Sequence, residues 1–160
     1  MSQKKKQPLH LRDFQVVDAG VCRANNKTSL VERIANLHEA MFQLIEEFNP
    51  QLCALEKAFV GANPQSALKL GQVRGAFICA AARCGVRISE VTPTSVKKMI
   101  TGHGHADKES VAHAVKGIVG FDRGHLPADV SDAVAIALSC CTPEFFQAFN
   151  QTASPLKKAF

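Results

Sequence analysis

Short runs rich in strand-forming residues alternate along this chain with longer segments of helical periodicity. The strand-like runs are residues 13–23, 52–55 and 86–91, and a helical pattern follows each of them. After the third run, three helical segments follow one another, the last ending near residue 141. Strands that alternate with helices are typical of an α/β fold. We therefore predict one α/β domain over residues 1–160, in which residues 151–160 form a flexible basic tail.

The helix starts carry local signals. Ser29 and Glu32 have the spacing of a capping box, in which each side chain binds the other residue's backbone amide. Asn63 before Pro64 is typical of a cap residue followed by proline at the first helical position. Asp107 is placed to cap a third helix, and Pro127 leads into the last long one.

Composition narrows the class of protein. No run of ~18 apolar residues is present, so we predict no membrane span. The six cysteines show no CxxC spacing, which favours free thiols in a reducing cytoplasm. The net charge is +5, which favours a polyanionic partner such as nucleic acid. A solvated basic surface is the alternative, and charge alone does not decide between them.

Three acidic residues stand out by position. Glu56 ends an apolar strand, where α/β folds place ligands and catalytic groups. Asp129 and Asp132 lie three residues apart at the start of a helix, so they share one face. We expect a different stripe of that helix to face the core, namely Val130, Val134, Ala137, Leu138 and Cys141.

These acids have a functional and an ordinary explanation. Clustered carboxylates with open positions suit Mg²⁺ or Mn²⁺, and two such ions promote phosphodiester hydrolysis. However, acids are also common in the first turn of a helix because they interact favourably with its dipole. A glutamate at a strand end is often only solvated. Spacing alone leaves both explanations open.

Four stretches resemble the RuvC family of Holliday-junction resolvases, in the family's order and at its spacings. They are LCALEKAF at 52–59, SALKLGQVRG at 66–75, VKKMITGHGHADKE at 96–109 and DVSDAVAIAL at 129–138. The resemblance implies an RNase H-like fold with a mixed sheet flanked by helices. It also implies a homodimer that nicks four-way DNA junctions symmetrically in recombination and repair, beside the RuvA–RuvB branch-migration complex. The implied cofactor is Mg²⁺, replaceable by Mn²⁺, with two ions in each active site.

The resemblance assigns roles to individual residues. Glu56, Asp129 and Asp132 match the family's catalytic, metal-binding acids, and Lys108 matches a lysine beside the cleaved backbone. The residues it places on DNA are Phe59, Lys69, Arg74, Lys97, Lys98 and Lys108. Phe59 matches an aromatic side chain that wedges into the opened junction, although the sequence alone fits a core phenylalanine nearly as well.

Other residues suggest chemistry that we do not expect. His103 and His105 invite a zinc interpretation, to which His113 and His125 could contribute. The two are too close for usual zinc-finger spacing, and no cysteine pair accompanies them. Cys140 and Cys141 lack an obvious charged neighbour that would lower a thiol pKa, so we expect them to pack at a helix end.

The chain departs from the family pattern at its start. The family begins with a strand Gly-Ile-Asp-Pro-Gly whose aspartate is the first metal ligand, and nothing here matches it. Asp18 is no substitute, because the spacing from Cys22 to Glu56 places Asp18 in the family's second strand. We expect a start codon upstream of Met1. The alternative is a degenerate product that binds junctions without cleaving them.

Two other functions stay open at this point. One is an RNase H-like nuclease that acts on RNA precursors. The other is a non-catalytic junction-binding protein, whose binding would be salt-sensitive and which no divalent metal would convert into a nuclease. Of the three, the quoted stretches favour the resolvase.

Overall fold

The computed structural model describes residues 13–57, 63–120, 127–142 and 145. The elements in chain order are α1 (Leu30–Phe48), β1 (Leu52–Glu56), α2 (Pro64–Arg83), β2 (Arg87–Val91), α3 (Pro93–Thr101), α4 (Lys108–Val119) and α5 (Ala128–Ser139). They fall into two compact units, one holding residues 20–92 and the other residues 93–152, with the two chain termini divided between them. The prediction of one domain over 1–160 is not decided by this division. The predicted tail at 151–160 lies outside the described residues.

The unit of residues 20–92 holds a parallel strand pair and two helices. β1 and β2 pair in parallel from Leu52 opposite Arg87 to Glu56 opposite Val91, with α2 as the connection between them. Parallel strands need such a crossover, which places both carboxyl ends at the same edge. Glu56 therefore lies at the carboxyl edge, as the sequence predicted.

Helix α1 forms where its local signals predict. The Ser29 hydroxyl accepts a hydrogen bond from the Glu32 backbone amide at 3.2 Å, and the Glu32 carboxylate accepts one from the Ser29 amide at 2.8 Å. The Ser29 hydroxyl also donates to the Glu32 carboxylate at 2.8 Å, and this bond, followed by the one from the Ser29 amide, holds the pKa of Glu32 below its ordinary value. Asn49 ends the helix in the left-handed conformation, at φ 43°, which asparagine tolerates better than most residues.

The core of this unit lies where α1 meets α2. Its buried members are Ile45, Ala80, Ala81 and Val86. Ala80 and Ala81 have no exposed surface, and their small side chains let the two helices approach closely. Asn63 caps α2 as predicted, since its side-chain oxygen accepts the Gln65 amide at 3.0 Å.

The unit of residues 93–152 packs three helices together. Its buried side chains come from all three: Val96 and Ile100 of α3, Val111 and Val115 of α4, and Val130, Val134, Ala135 and Leu138 of α5. None of the described helices is long and apolar enough to cross a membrane.

The strand predicted at residues 13–23 is wrong. Residues 14–23 form no strand, and no other described segment pairs with them. A run of strand formers becomes a strand only when a neighbour takes its backbone hydrogen bonds.

On α5, the predicted core stripe is confirmed for Val130, Val134 and Leu138, which are buried. Cys141 is half-buried, and Ala137 is exposed, so its place in the predicted stripe is wrong. The buried face includes Ser131 and Ala135 instead.

Candidate functional site

The acid pair of α5 stands at the start of the helix, on its exposed side. Asp129 lies in the first turn and Asp132 one turn further on, and both are exposed. Val130 and Ser131 between them are buried, which anchors the backbone that carries both carboxylates. Among the described residues, the Asp129 side chain has no hydrogen-bond or ion-pair partner. Asp129 and Asp132 thus share one exposed face of α5, as their spacing predicted.

Lys108 lies beside this pair. Its Nζ atom is 4.0 Å from Oδ2 of Asp132, with the two side chains 84% and 52% exposed. Lys108 is the first residue of α4, directly after the capping residue Asp107. Oδ1 of Asp107 accepts a hydrogen bond from the Ser110 backbone amide at 2.7 Å, and this cap fixes where α4 begins.

The charge of Asp107 is stabilised by its surroundings. Hydrogen bonds from Ser110, the backbone amide first, hold the pKa of Asp107 below its ordinary value, and the positive charge of Lys97 adds to the effect. Lys97 is half-buried near the end of α3, whereas Lys98 is exposed in the last turn. The predicted lysines 97, 98 and 108 thus come from the two helices that flank residues 102–107.

The connection between α3 and α4 has a defined shape. The Thr101 hydroxyl donates a hydrogen bond to the Lys97 carbonyl at 2.8 Å and accepts one from the His103 backbone amide at 3.2 Å. A Cβ atom on Gly104 would lie 2.9 Å from Cγ2 of Thr94, so the backbone passes closer to α3 than any other residue type allows.

Glu56 is exposed at the end of β1, and its backbone is held on two sides. The amide of the next residue, Lys57, donates to the Val91 carbonyl at 2.7 Å and continues the strand pairing. The guanidinium of Arg74 donates to the Glu56 carbonyl oxygen and forms an ion pair with Glu90. Sequence reasoning missed Glu90. Glu90 lies opposite Leu55, next to the end of β1, so pairing the two strands would have drawn attention to it.

The remaining predicted DNA contacts are less defined. Lys69 is exposed on α2. Phe59 lies outside the described residues, and so does His125 of the rejected zinc hypothesis. Within the described part of the chain, no three or more histidine, cysteine, aspartate or glutamate side chains are grouped so as to hold a metal ion.

The donor chemistry nevertheless fits a hard divalent cation. Glu56, Asp129 and Asp132 present exposed carboxylates, and oxygen donors are what Mg²⁺ and Mn²⁺ prefer. Cys53 and Cys141 fit a soft metal less well, because burial raises the pKa of their thiols. A thiol whose pKa is raised is a poor metal ligand, since the thiolate is the ligand form.

Comparisons with known proteins agree over most of the chain. Residues 9–140 match the family model of the crossover junction endodeoxyribonuclease RuvC. The protein of that name from Prosthecochloris aestuarii is 41% identical over 125 residues, which cover 78% of this chain and 67% of the relative. The one from Chloroherpeton thalassium is 39% identical over 145 residues, covering 91% of this chain and 76% of the relative.

Solved structures agree with the fold. The structure of Thermus thermophilus RuvC matches with a TM-score of 0.74 and covers 89% of this chain and 83% of that one. The same protein in complex with a Holliday junction substrate matches with a TM-score of 0.77 and covers 84% of that chain. The identity is 33% in both cases. The predicted α/β, RNase H-like fold is confirmed.

Proposed function

The chain belongs to the RuvC family of crossover junction endodeoxyribonucleases, and we propose that it resolves four-way DNA junctions by metal-dependent hydrolysis of phosphodiester bonds. The observation that carries this proposal is the exposed pair Asp129 and Asp132 with Lys108 beside it, on a scaffold shared with a relative solved on a Holliday junction. Basic and acidic groups together suit a substrate whose backbone must be both bound and cut.

Each residue has a proposed task. Glu56, Asp129 and Asp132 would hold the cation, Mg²⁺ or Mn²⁺, with two ions in each site. The bound ions would supply Lewis acidity to the attacking water and positive charge beside the leaving oxygen. Lys108 donates hydrogen bonds to a non-bridging phosphate oxygen, whose charge grows in the transition state.

The other basic residues bind the substrate. Lys69, Lys97 and Lys98 neutralise phosphates along the arms of the junction, which positions DNA without reading its sequence. Phe59 stacks on a base at the opened junction centre. Arg74 was predicted to contact DNA as well, but its guanidinium binds the Glu56 carbonyl and Glu90, so we do not count it among the phosphate contacts.

The proposed assembly is a homodimer, since two symmetric nicks require two active sites related by a two-fold axis. Helix α2 supports this proposal: Leu68 is 66% exposed and Leu70 is 55% exposed. Leu68→Lys is expected to shift the protein toward monomer in sedimentation velocity. Val31→Lys, which also charges an exposed apolar residue but on α1, is the control. Dimers that persist in Leu68→Lys would argue against this face.

In the cell, we propose that the enzyme acts in the cytoplasm in recombination and repair, with the RuvA–RuvB complex supplying branch migration. A simple check is whether purified RuvA–RuvB changes the cleavage rate on a junction that must be moved before it is cut. An unchanged rate, together with no co-sedimentation on DNA, would remove this partner.

The test of the catalytic proposal is cleavage of a synthetic four-way junction, with linear duplex of the same sequence beside it. Glu56→Gln and Asp129→Asn are expected to bind the junction normally and to cut at least about 1,000-fold more slowly. Glu109→Gln removes an exposed acid from the first turn of α4 and is the matched control. Full cleavage by both site variants would reject the metal assignment.

The same assay separates the alternatives. Junction binding without cleavage in Mg²⁺ or Mn²⁺ would indicate the non-catalytic binding protein. Cleavage of RNA with no action on four-way junctions would indicate the other nuclease class.

A further inference from the structure

Arg74 lies at the point where the two parallel strands end. Its Nη1 atom donates to the backbone carbonyl of Glu56, and its Nη2 atom pairs with the carboxylate of Glu90. The Arg74 side chain is only 17% exposed. The planar guanidinium thus joins the last residue of β1 to a side chain of β2, using two of its five N–H donors.

The strand register separates this contact from the Glu56 carboxylate. Leu55 lies opposite Glu90, and Glu56 lies opposite Val91. Side chains alternate between the faces of a strand, so the Glu56 side chain points away from the face that carries Glu90. Arg74 therefore holds the backbone of Glu56 while leaving its carboxylate unoccupied and exposed.

The end of a short strand is where backbone pairing is weakest, because it has no further rungs beyond it. Here the pairing continues one residue further, through the Lys57 amide and the Val91 carbonyl. Arg74 donates a charge-assisted bond to the Glu56 carbonyl, which belongs to the same peptide unit as the Lys57 amide. Hydrogen bonds in a chain polarise one another, so this bond strengthens the one from Lys57 to Val91. The backbone direction at Glu56, and with it the aim of its carboxylate, depends on these two bonds.

We propose that Arg74 is a positioning residue, which aims the Glu56 carboxylate by binding the Glu56 carbonyl and Glu90. This inference rests on the proposed function of Glu56 as a metal ligand. It differs from the expectation that Arg74 contacts DNA directly. Groups that orient a metal ligand from outside typically affect metal affinity or activity about 10–100-fold when removed.

The test combines amide exchange with kinetics on four variants. Arg74→Gln and Arg74→Lys break the contact, because a lysine ammonium lacks the fork that reaches both partners. Glu90→Ala removes the second partner with less risk to folding. Arg83→Gln removes the same charge from the same helix, at a site where the guanidinium instead lies 4.9 Å above the ring of Phe42. Thermal denaturation of each variant shows which of them fold.

In the exchange arm, the Lys57 amide is expected to exchange at least about 10-fold faster in Arg74→Gln and Glu90→Ala, with helix α1 unchanged. Arg83→Gln should leave the Lys57 amide as it is. Unchanged protection of that amide in both Arg74 variants would overturn the proposal, whatever the enzyme does.

In the kinetic arm, the Arg74 variants are expected to lower kcat about 10–100-fold and to raise the metal concentration for half-maximal rate. Junction affinity measured in Ca²⁺, and its salt dependence, should stay unchanged. If Arg74 contacts a phosphate instead, affinity falls, the salt slope drops by about 1, and Glu90→Ala is silent. If the wild type does not cleave, the proposed function fails, and the exchange arm still decides whether Arg74 holds Glu56.

Discussion

The substitution Lys108→Ala tests whether the positive charge of Lys108 serves catalysis or the stability of the fold. Two weak terms act on this residue in the folded protein. Its ion pair with Asp132 spans 4.0 Å between two largely exposed groups, which amounts to about 1 kcal/mol in water and to about 0–0.5 kcal/mol after screening and side-chain ordering. Its position as the first residue of α4 is unfavourable by a similar amount, about 0.3–1 kcal/mol, because the helix dipole is positive at that end.

The two terms oppose each other, so Lys108→Ala should change the free energy of unfolding by between a loss of about 0.2 kcal/mol and a gain of about 1 kcal/mol. The corresponding rise in Tm is at most about 4 °C for a chain of this size. Cleavage is expected to fall about 100-fold, which is typical when one donor to a developing negative charge is removed. Affinity for the junction should change little, because many phosphate contacts share it.

Lys116, in the last turn of the same helix, supplies the matched control. There a positive charge interacts favourably with the dipole, so Lys116→Ala should lose about 0.3–1 kcal/mol and keep full cleavage. The assays are thermal denaturation at low salt and single-turnover cleavage of a four-way junction. Normal cleavage by Lys108→Ala would refute the catalytic assignment, and a stability loss above about 1 kcal/mol would show that the charge balance is wrong.

Three further predictions concern the helices that carry the site. In Gly104→Ala the new Cβ would lie 2.9 Å from Cγ2 of Thr94, closer than the 3.4 Å at which ordinary van der Waals contact begins. The free energy of unfolding, measured in urea, should therefore fall by about 1 kcal/mol. Adding Thr94→Ser removes Cγ2 and should restore most of that stability. The carboxylate of Asp107 stabilises α4 fully above its unfolded pKa, near 3.8, and this stability is lost as pH falls through the lower folded value. Asp107→Asn should therefore show a smaller loss of stability in acid, as followed by circular dichroism. Val115→Ala should lower the free energy of unfolding by about 2 kcal/mol, because Val115 has no exposed surface. Val31→Ala, at a site 76% exposed, is the control and should lower it by less than about 0.5 kcal/mol in the same urea denaturation assay.

Features governed by residues close in sequence were predictable. The cap at Ser29 and the proline start of α2 formed as expected, because each depends on side chains within three or four residues of the backbone they bind. The acid pair on α5 shares a face for the same reason. The end of β1 at Glu56 was predictable because a short apolar run gives way there to a charged residue.

Features that need a distant partner were not predictable. Residues 13–23 have the composition of a strand, but composition does not supply the neighbouring backbone that a strand requires. The partner of Arg74 was also missed. An arginine read in isolation suggests a phosphate, and only the pairing of Leu55 with Glu90 shows that an acidic side chain is within its reach.

Helix electrostatics explains some of the charges near the site and leaves others unexplained. Asp129 lies at the positive end of α5 and Lys98 at the negative end of α3, so each charge is favourable for its own helix without any substrate. Asp132 stands one turn further in, beyond the reach of that effect, and Lys108 stands at the end of α4 that disfavours it. Because the ion pair between these two exposed groups contributes little stability, folding gives no strong reason for either charge to be where it is. The positions of Lys108 and Asp132 are therefore stronger evidence for a phosphate and metal site than the larger number of basic residues around them.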